Sequence, residues 1–251
     1  MRNILFFTFL IISGVLFAQP NKVDAQGRKQ GEWGKKYENK TVYMYKGQFK
    51  NDKPVGKFIY WYPNNEIKAI IIHDENSNRS VAYTYHENGK MMSYGIYRDQ
   101  KKDSVWNYYG TSERLSLKET YKNGVLHGVK TIYYVPQELG KPTTQVAKTI
   151  TYKNGVLDGP MKAYFDNGVL KESGNYTDGK RNGVFKMYTP SGNLQFTYRY
   201  KMDKYHGWQQ TFDAKGLVIG SKYYVHGKEL KGEALDKYMA KLKEKGVNPN
   251  D

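Results

Sequence analysis

The chain has no cysteine in 251 residues. That excludes a disulfide framework, cysteine-ligated zinc, iron–sulfur clusters, a thiol nucleophile and a lipidated N-terminal cysteine. Proline is sparse, at 8, and acidic side chains are outnumbered: 24 Asp+Glu stand against 40 Lys+Arg, a formal net charge of +16. Hydrophobic residues make up only 39%, little for the thick core of a helical enzyme. There is a single long apolar run, Ile4 to Phe17. What is abundant is tyrosine (24, against 10 Phe) and glycine (25), the composition of many short strands joined by turns.

The apolar run follows Met1-Arg2-Asn3 and ends in Ala18, before Gln19, Pro20 and polar sequence. A basic start, an apolar stretch of this length and a small terminal residue form the secretory signal pattern. The run is short for a membrane span, although Leu16, three residues before the expected cut, keeps an uncleaved anchor open. Residues 1–18 are read as a signal peptide, with no membrane span in the mature chain and a destination in the periplasm, on the outer surface or outside the cell.

One pattern recurs along the rest. Gly56, Ser80, Ser104, Gly128, Gly159, Gly183 and Gly207 are separated by 24, 24, 24, 31, 24 and 24 residues. The one excess lies at or near Pro136 to Pro142. Five residues after each opener stands an aromatic: Trp61, Tyr85, Tyr109, Tyr133, Tyr164, Tyr188, Phe212. An aliphatic column follows (Ile67, Met91, Leu115, Val146, Leu170, Leu194, Val218), and six residues beyond it come His73, Tyr97, Tyr121, Tyr152, Tyr176, Tyr200 and Tyr224. A weaker first unit begins at Gly31, one residue out of step.

Each unit alternates in the manner of a strand, turns (Thr189 to Gly192), and alternates again; Asn123-Gly124, Asn154-Gly155 and Asp178-Gly179 lead onward as tight turns. The fold class is therefore all-β: an elongated, single-layer antiparallel sheet of seven or eight tandem hairpins over residues 19–232. In such a sheet tyrosine can stack on the next unit while its hydroxyl stays wet. The two aromatic rows are candidate packing elements and, alternatively, rings that stack on a glycan or partner. They are expected to share one face and interlock as a thin core, leaving Lys186, Gln195 and Thr197 to point outward on a ligand-binding face.

Residues 233–251 differ. Leu235, Tyr238, Met239 and Leu242 have helical spacing, acids lie early and lysines late, and Gly246 and Pro249 end the run. A helix that caps the open end of a repeat array is expected.

Tyr152, Asn154, Gly155 and Gly159, followed by Tyr164, Asn167 and Gly168, resemble the bacterial variant of the MORN repeat, in which a Tyr-x-Asn-Gly-Lys-x-x-Gly link alternates with Tyr-x-x-Asn-Gly. The resemblance runs from about Gly27 to Gly232 and implies a binding or scaffold role, not catalysis. It also implies an alternative, since the family includes antitoxins that bind a toxin.

Nothing in the residue spacing asks for a catalytic group, metal or cofactor. The five histidines (His73, His86, His127, His206, His226) fall on repeat positions, and no hydrolase, zinc-protease, P-loop or dinucleotide motif occurs. The expected role is a non-catalytic binding or scaffold module of the cell envelope. Its partners would be a protein or, given the basic excess, an acidic glycan or anionic lipid surface; nucleic acid is not expected for an exported chain. N-terminal sequencing of protein made in an exporting host should begin at Gln19; material that began at Met1 would refute cleavage.

Overall fold

The computed structural model describes residues 20–135 and 145–250. The expected signal segment, its cleavage point at Ala18 and Gln19, and the excess at Pro136 to Pro142 lie outside these residues.

The described chain is one open antiparallel sheet of 21 strands. Eight hairpins follow one another: Lys29–Lys36 with Tyr43–Lys50, Lys53–Trp61 with Ile67–His73, Arg79–Tyr85 with Met91–Arg98, and Lys101–Tyr109 with Leu115–Lys122. Then come Gly128–Tyr133 with Val146–Lys153, Val156–Tyr164 with Leu170–Thr177, Gly183–Tyr188 with Leu194–Lys201, and Gly207–Phe212 with Val218–Val225. Five short strands complete the sheet: Lys22–Val23 at one end, Lys228–Leu230 at the other, and Val125–Leu126, Lys180–Arg181 and Lys204–Tyr205 beside the turns between hairpins. Each strand pairs with its neighbours in sequence, so the contacts are local and the array grows by about 10 Å per unit.

The first unit's offset has a simple cause. Lys36 pairs with Tyr43 across residues 37–42, whereas Trp61 pairs with Ile67 across residues 62–66. The one added loop residue leaves the strand register intact: Gly31 faces Phe49 as Gly56 faces His73. Every hairpin also carries a bulge at the same place. Tyr60 pairs with Ala69 but Trp61 with Ile67, so Lys68 has no partner of its own, and the shift recurs at Tyr85, Tyr109, Tyr133, Tyr164, Tyr188 and Phe212. Such a shift increases local twist.

The two serines that stand in the opener column behave differently. Ser104 takes a left-handed backbone (φ 58°), like Gly56 (φ 64°), whereas Ser80 sits in an unbroken ladder opposite His73. A side chain at left-handed φ is disfavoured relative to glycine, so the strand geometry is imposed on Ser104 by its neighbours.

Most of the buried apolar residues form a line two residues after the openers: Phe58 and Phe185 are 2% exposed, Trp106 and Ala82 1%, Met161 2%; Val55 (8%) and Tyr223 (1%) are buried outside that line. Each residue of the line rests on the preceding strand, and the partner there is matched to it in size. Phe58 lies on Gly47, Trp106 on Gly95 and Phe185 on Gly174; a Cβ on any of these glycines would come within 2.3 Å of the ring. Where the core residue is Ala82 the partner is Ile71, and Met161 faces Ile150. In the middle of the array the pair is ionic, with Lys130 Nζ 2.9 Å from Glu119 Oε1.

The two rims of the sheet carry further links. At one rim each turn between hairpins donates a backbone hydrogen bond to the turn before it: Gly124 N to Lys102 O, Gly155 N to Leu126 O, Gly179 N to Leu157 O and Gly227 N to Tyr205 O, all 2.8 Å. At the other rim the residue after the end of a hairpin's first strand reaches forward to the next unit. Tyr37 Oη donates to Trp61 O (2.8 Å), Tyr62 Oη to Tyr85 O (2.9 Å) and Tyr134 Oη to Tyr164 O (2.7 Å); His86 Nε2 occupies the same link to Tyr109 O (3.0 Å).

The chain ends in a helix, Glu233–Glu244. Leu235, Tyr238, Met239 and Leu242 are its half-buried residues. Tyr238 packs on Tyr223 (5.8 Å between rings), whose hydroxyl donates to Pro249 O at 2.6 Å.

Gly174→Ala should lower stability by about 1–3 kcal/mol through overpacking, and Phe185→Ala by about 3–5 kcal/mol through the cavity left behind. The double variant should lose clearly less than the sum in denaturant unfolding, because each change relieves the other's defect; strict additivity would refute the size matching.

Candidate functional site

Alternation along the strands sorts the two aromatic rows. The tyrosine row pairs with the openers, so it shares a face with the core line: Tyr97 lies 4.9 Å from Trp106, Tyr176 5.7 Å and Tyr200 5.2 Å from Phe185, and Tyr224 5.3 Å from Tyr205. Tyr121 and Tyr152 occupy the same row, opposite Ser104 and Gly128. The other row stands an odd number of residues from the opener and points to the opposite face. There Trp61 meets Tyr43 (6.4 Å), and Tyr109 stacks on Tyr94 (6.4 Å), which stacks on Tyr83 (6.3 Å).

The expectation that both rows interlock on one face is thus corrected. An odd separation in a period-two strand puts them on opposite faces. All the rings of both rows are half-buried; the fully buried line beside the tyrosines was missed because it has no constant residue type. The assignment of Lys186, Gln195 and Thr197 is corrected in part. Lys186 and Gln195 are exposed, but Thr197 is 8% exposed, held in register between Lys186 and Gln210.

The packed face contains a polar chain of contacts at its middle. Lys102 Nζ donates to Tyr108 Oη (2.7 Å), Tyr121 Oη donates to Glu119 Oε2 (2.7 Å), and the two hydroxyls lie 3.4 Å apart. Because Tyr121 donates to the carboxylate and Tyr108 accepts from the lysine, the hydroxyl proton between them belongs to Tyr108. The ammonium of Lys102 also lies 4.6 Å from the Trp106 ring. Burial lowers the Lys102 pKa against the pull of Glu119 and raises that of Tyr108, and the hydrogen bond to Tyr121 raises Tyr108 further. Burial works against the Glu119 carboxylate, but hydrogen bonds from Tyr121 and Lys130 outweigh it and hold its pKa below the ordinary glutamate value. Every charge in this chain of contacts has a partner.

The histidines have structural positions. His73 Nδ1 meets Ser80 Oγ at 2.8 Å, His127 Nδ1 meets Asn154 Oδ1 at 3.1 Å, and the rings of His206 and His226 lie 4.9 Å apart. Among the described residues there is no group of three metal-ligating side chains, and no helix is long and apolar enough to cross a membrane.

The opposite face carries a groove of about 680 Å³ at the first two hairpins. Its floor is formed by the half-buried Tyr43, Ile59 and Trp61; Lys36, Lys46, Lys57, Glu32 and Gln48 stand exposed at its rim. Lys46 Nζ lies 4.0 Å and Lys36 Nζ 5.2 Å from the centre of the Tyr43 ring. Cations held beside an aromatic ring keep both their charge and a defined position. Of this site the sequence reading had only Trp61. Lys36 lies on the out-of-step first strand, Tyr43 stands in the aliphatic column 24 residues before Ile67, and only the strand register brings them to Trp61.

An open array of hairpins keyed to one another along one sheet is the architecture of a repeat protein. The family model for the MORN repeat variant matches residues 81–99, 157–178 and 181–202, and the chain carries MORN-variant repeats there. Each match covers one hairpin, and the same columns continue through the five hairpins between and around them. MORN repeats generally serve as binding or scaffold modules, often for proteins or lipids, and this all-β architecture is not a typical enzyme fold. No curated protein matches the chain.

A depressed carboxyl pKa contributes stability above the unfolded value, and that contribution is lost as pH falls through the folded one. Glu119→Gln should therefore lower stability at pH 7, by about 1–3 kcal/mol for a buried charge-assisted contact. Thermal melts of variant and parent should converge below the ordinary glutamate range; a gap that persisted unchanged into acid would refute the ionic role.

Proposed function

We propose that this protein is an exported, non-catalytic binding scaffold of the cell envelope, and that its ligands are acidic glycans held on the face opposite the core. The observation that carries this reading is the groove of the first two hairpins, where Tyr43 and Trp61 form a sunken aromatic floor under Lys36, Lys46 and Lys57. A sugar ring offers a flat C–H face to such a floor, and its carboxylate or sulfate reaches the lysines at the rim. A flat anionic lipid surface would meet the lysines but leave the recessed rings unused. The row continued by Tyr85, Tyr109, Tyr133, Tyr164 and Tyr188 extends the same face along the array, which suits a polymer better than a small molecule. The basic excess supports the choice of an anion, and the apolar run ending at Ala18 supports export.

The test is adsorption of the protein to an acidic polysaccharide, a neutral polysaccharide and anionic lipid vesicles. Binding to the acidic polysaccharide should weaken with salt. Trp61→Ala should weaken it by roughly tenfold, equivalent to about 1.4 kcal/mol, and Lys46→Glu by a similar factor, with Lys186→Glu, distant from the groove, having less effect. Preference for vesicles, or indifference to Trp61→Ala, would overturn the glycan reading.

A further inference from the structure

The two edges of the sheet are finished differently. At the first edge the outer side of Lys29–Lys36 is occupied. Lys22–Val23 pairs with Lys29 and Gln30, and the backbone N–H of Asn21 donates to Glu32 O (2.8 Å). The Asn21 side chain then acts as a substitute strand: its amide oxygen accepts from Gly34 N (2.9 Å) and its nitrogen donates to Gly34 O (3.2 Å).

At the last edge the array breaks off within a unit. Lys228–Leu230 pairs with Tyr223, Tyr224 and Val225, as Lys204–Tyr205 pairs with Tyr200 and Lys201 one unit earlier. In that earlier unit the chain goes on to lay Gly207–Phe212 against Phe196 and Thr197. After Leu230 it turns into the helix instead. Among the described residues no strand pairs with the outer side of Gly220 and Ser221, which correspond to Phe196 and Thr197, and the strand from Val218 to Lys222 is exposed throughout. Leu217, Val218 and Ile219 are 62%, 49% and 66% exposed. An apolar, β-branched edge with one charge is a template for strand addition.

We propose that this edge pairs with the same edge of a second copy, in antiparallel register about Gly220, to form a two-fold dimer with one continuous sheet. Three features favour a second copy. The exposed segment is centred on a glycine, so the two copies meet without a side-chain clash. The register puts Lys222 opposite Val218, not opposite the other Lys222. The sealed first edge cannot enter the open slot, so head-to-tail growth into filaments is blocked and the assembly closes at two. Net positive charge opposes the pairing, and salt, by screening it, should strengthen the dimer.

The test uses the full mature chain in sedimentation and light scattering from 1 to 100 µM (an order-of-magnitude range suited to a micromolar Kd). A monomer–dimer equilibrium shifted toward dimer by salt is expected, and Val218→Lys with Ile219→Lys should give a monomer whose circular dichroism is unchanged. Should that variant fail to fold, the absence of native cysteine provides a second route. Gly220→Cys should form a disulfide dimer on mild oxidation, whereas Lys35→Cys at the sealed edge should not. A monomer at every concentration and salt, growth beyond the dimer, or equal cross-linking at both edges would overturn the proposal.

Discussion

The interaction on which the rest depends is the contact between each core side chain and the strand before it. A sheet one layer thick has nothing to pack against except itself. Its buried area must come from large side chains lying flat across a neighbouring strand, which requires the neighbour to be small at that point. Glycine under Phe58, Trp106 and Phe185 meets this requirement, and Ile71 over Ala82 meets it in reverse. The pairs are not interchangeable: Trp106 set against Ile71 would collide, and Ala82 set against Gly95 would leave a void. Size matching therefore encodes the order of the units as well as their stability, and the Glu119–Lys130 pair adds a charge code in the middle of the array.

This explains what could and could not be read from the sequence. The period, the hairpins, the two-residue turns and the terminal helix were legible because they rest on residue types that recur: glycine at left-handed φ, asparagine before it, tyrosine at a constant interval. The core line was not legible, because its members run Phe, Ala, Trp, Lys, Met, Phe, Gln. What can be recognised there is the fit of two side chains on different strands, a ring on a glycine or an isoleucine beside an alanine, and that fit appears only once strands are paired. The assignment of faces failed for a related reason. Both aromatic rows looked alike as columns, yet their odd separation from each other across the opener sends them to opposite sides. The groove was hidden because Tyr43 stands where later units carry an aliphatic residue, 24 residues before Ile67, and only strand pairing places it beside Trp61.

The division between faces gives the protein two surfaces with different tasks. On the core side the rings lock neighbouring hairpins together, and the charges placed there are satisfied within the Lys102–Tyr108–Tyr121–Glu119 chain and by Arg181 with Asp203 and Tyr200. On the other side the second row of rings is half-buried and edged by lysines, and it joins neighbouring hairpins at fewer places, Trp61 with Tyr43 and Tyr109 with Tyr94. A change in loop or surface residues on this side need not disturb the packing beneath, which is how one repeat scaffold can be adapted to different ligands.

The links along the two rims bear on how the molecule responds to force. The first and last strands lie at opposite edges, so a load applied between them runs along the inter-strand hydrogen bonds and opens them one pair at a time, as a zip opens, instead of shearing many together. Each hairpin that yields releases about 80 Å of chain for 24 residues. The turn-to-turn bonds and the Tyr37, Tyr62 and Tyr134 hydroxyls sit at the rims, where such a tear would start. Held between two attachment points, the array is a compliant spacer that lengthens in steps, with its seams reinforced at the places where rupture begins.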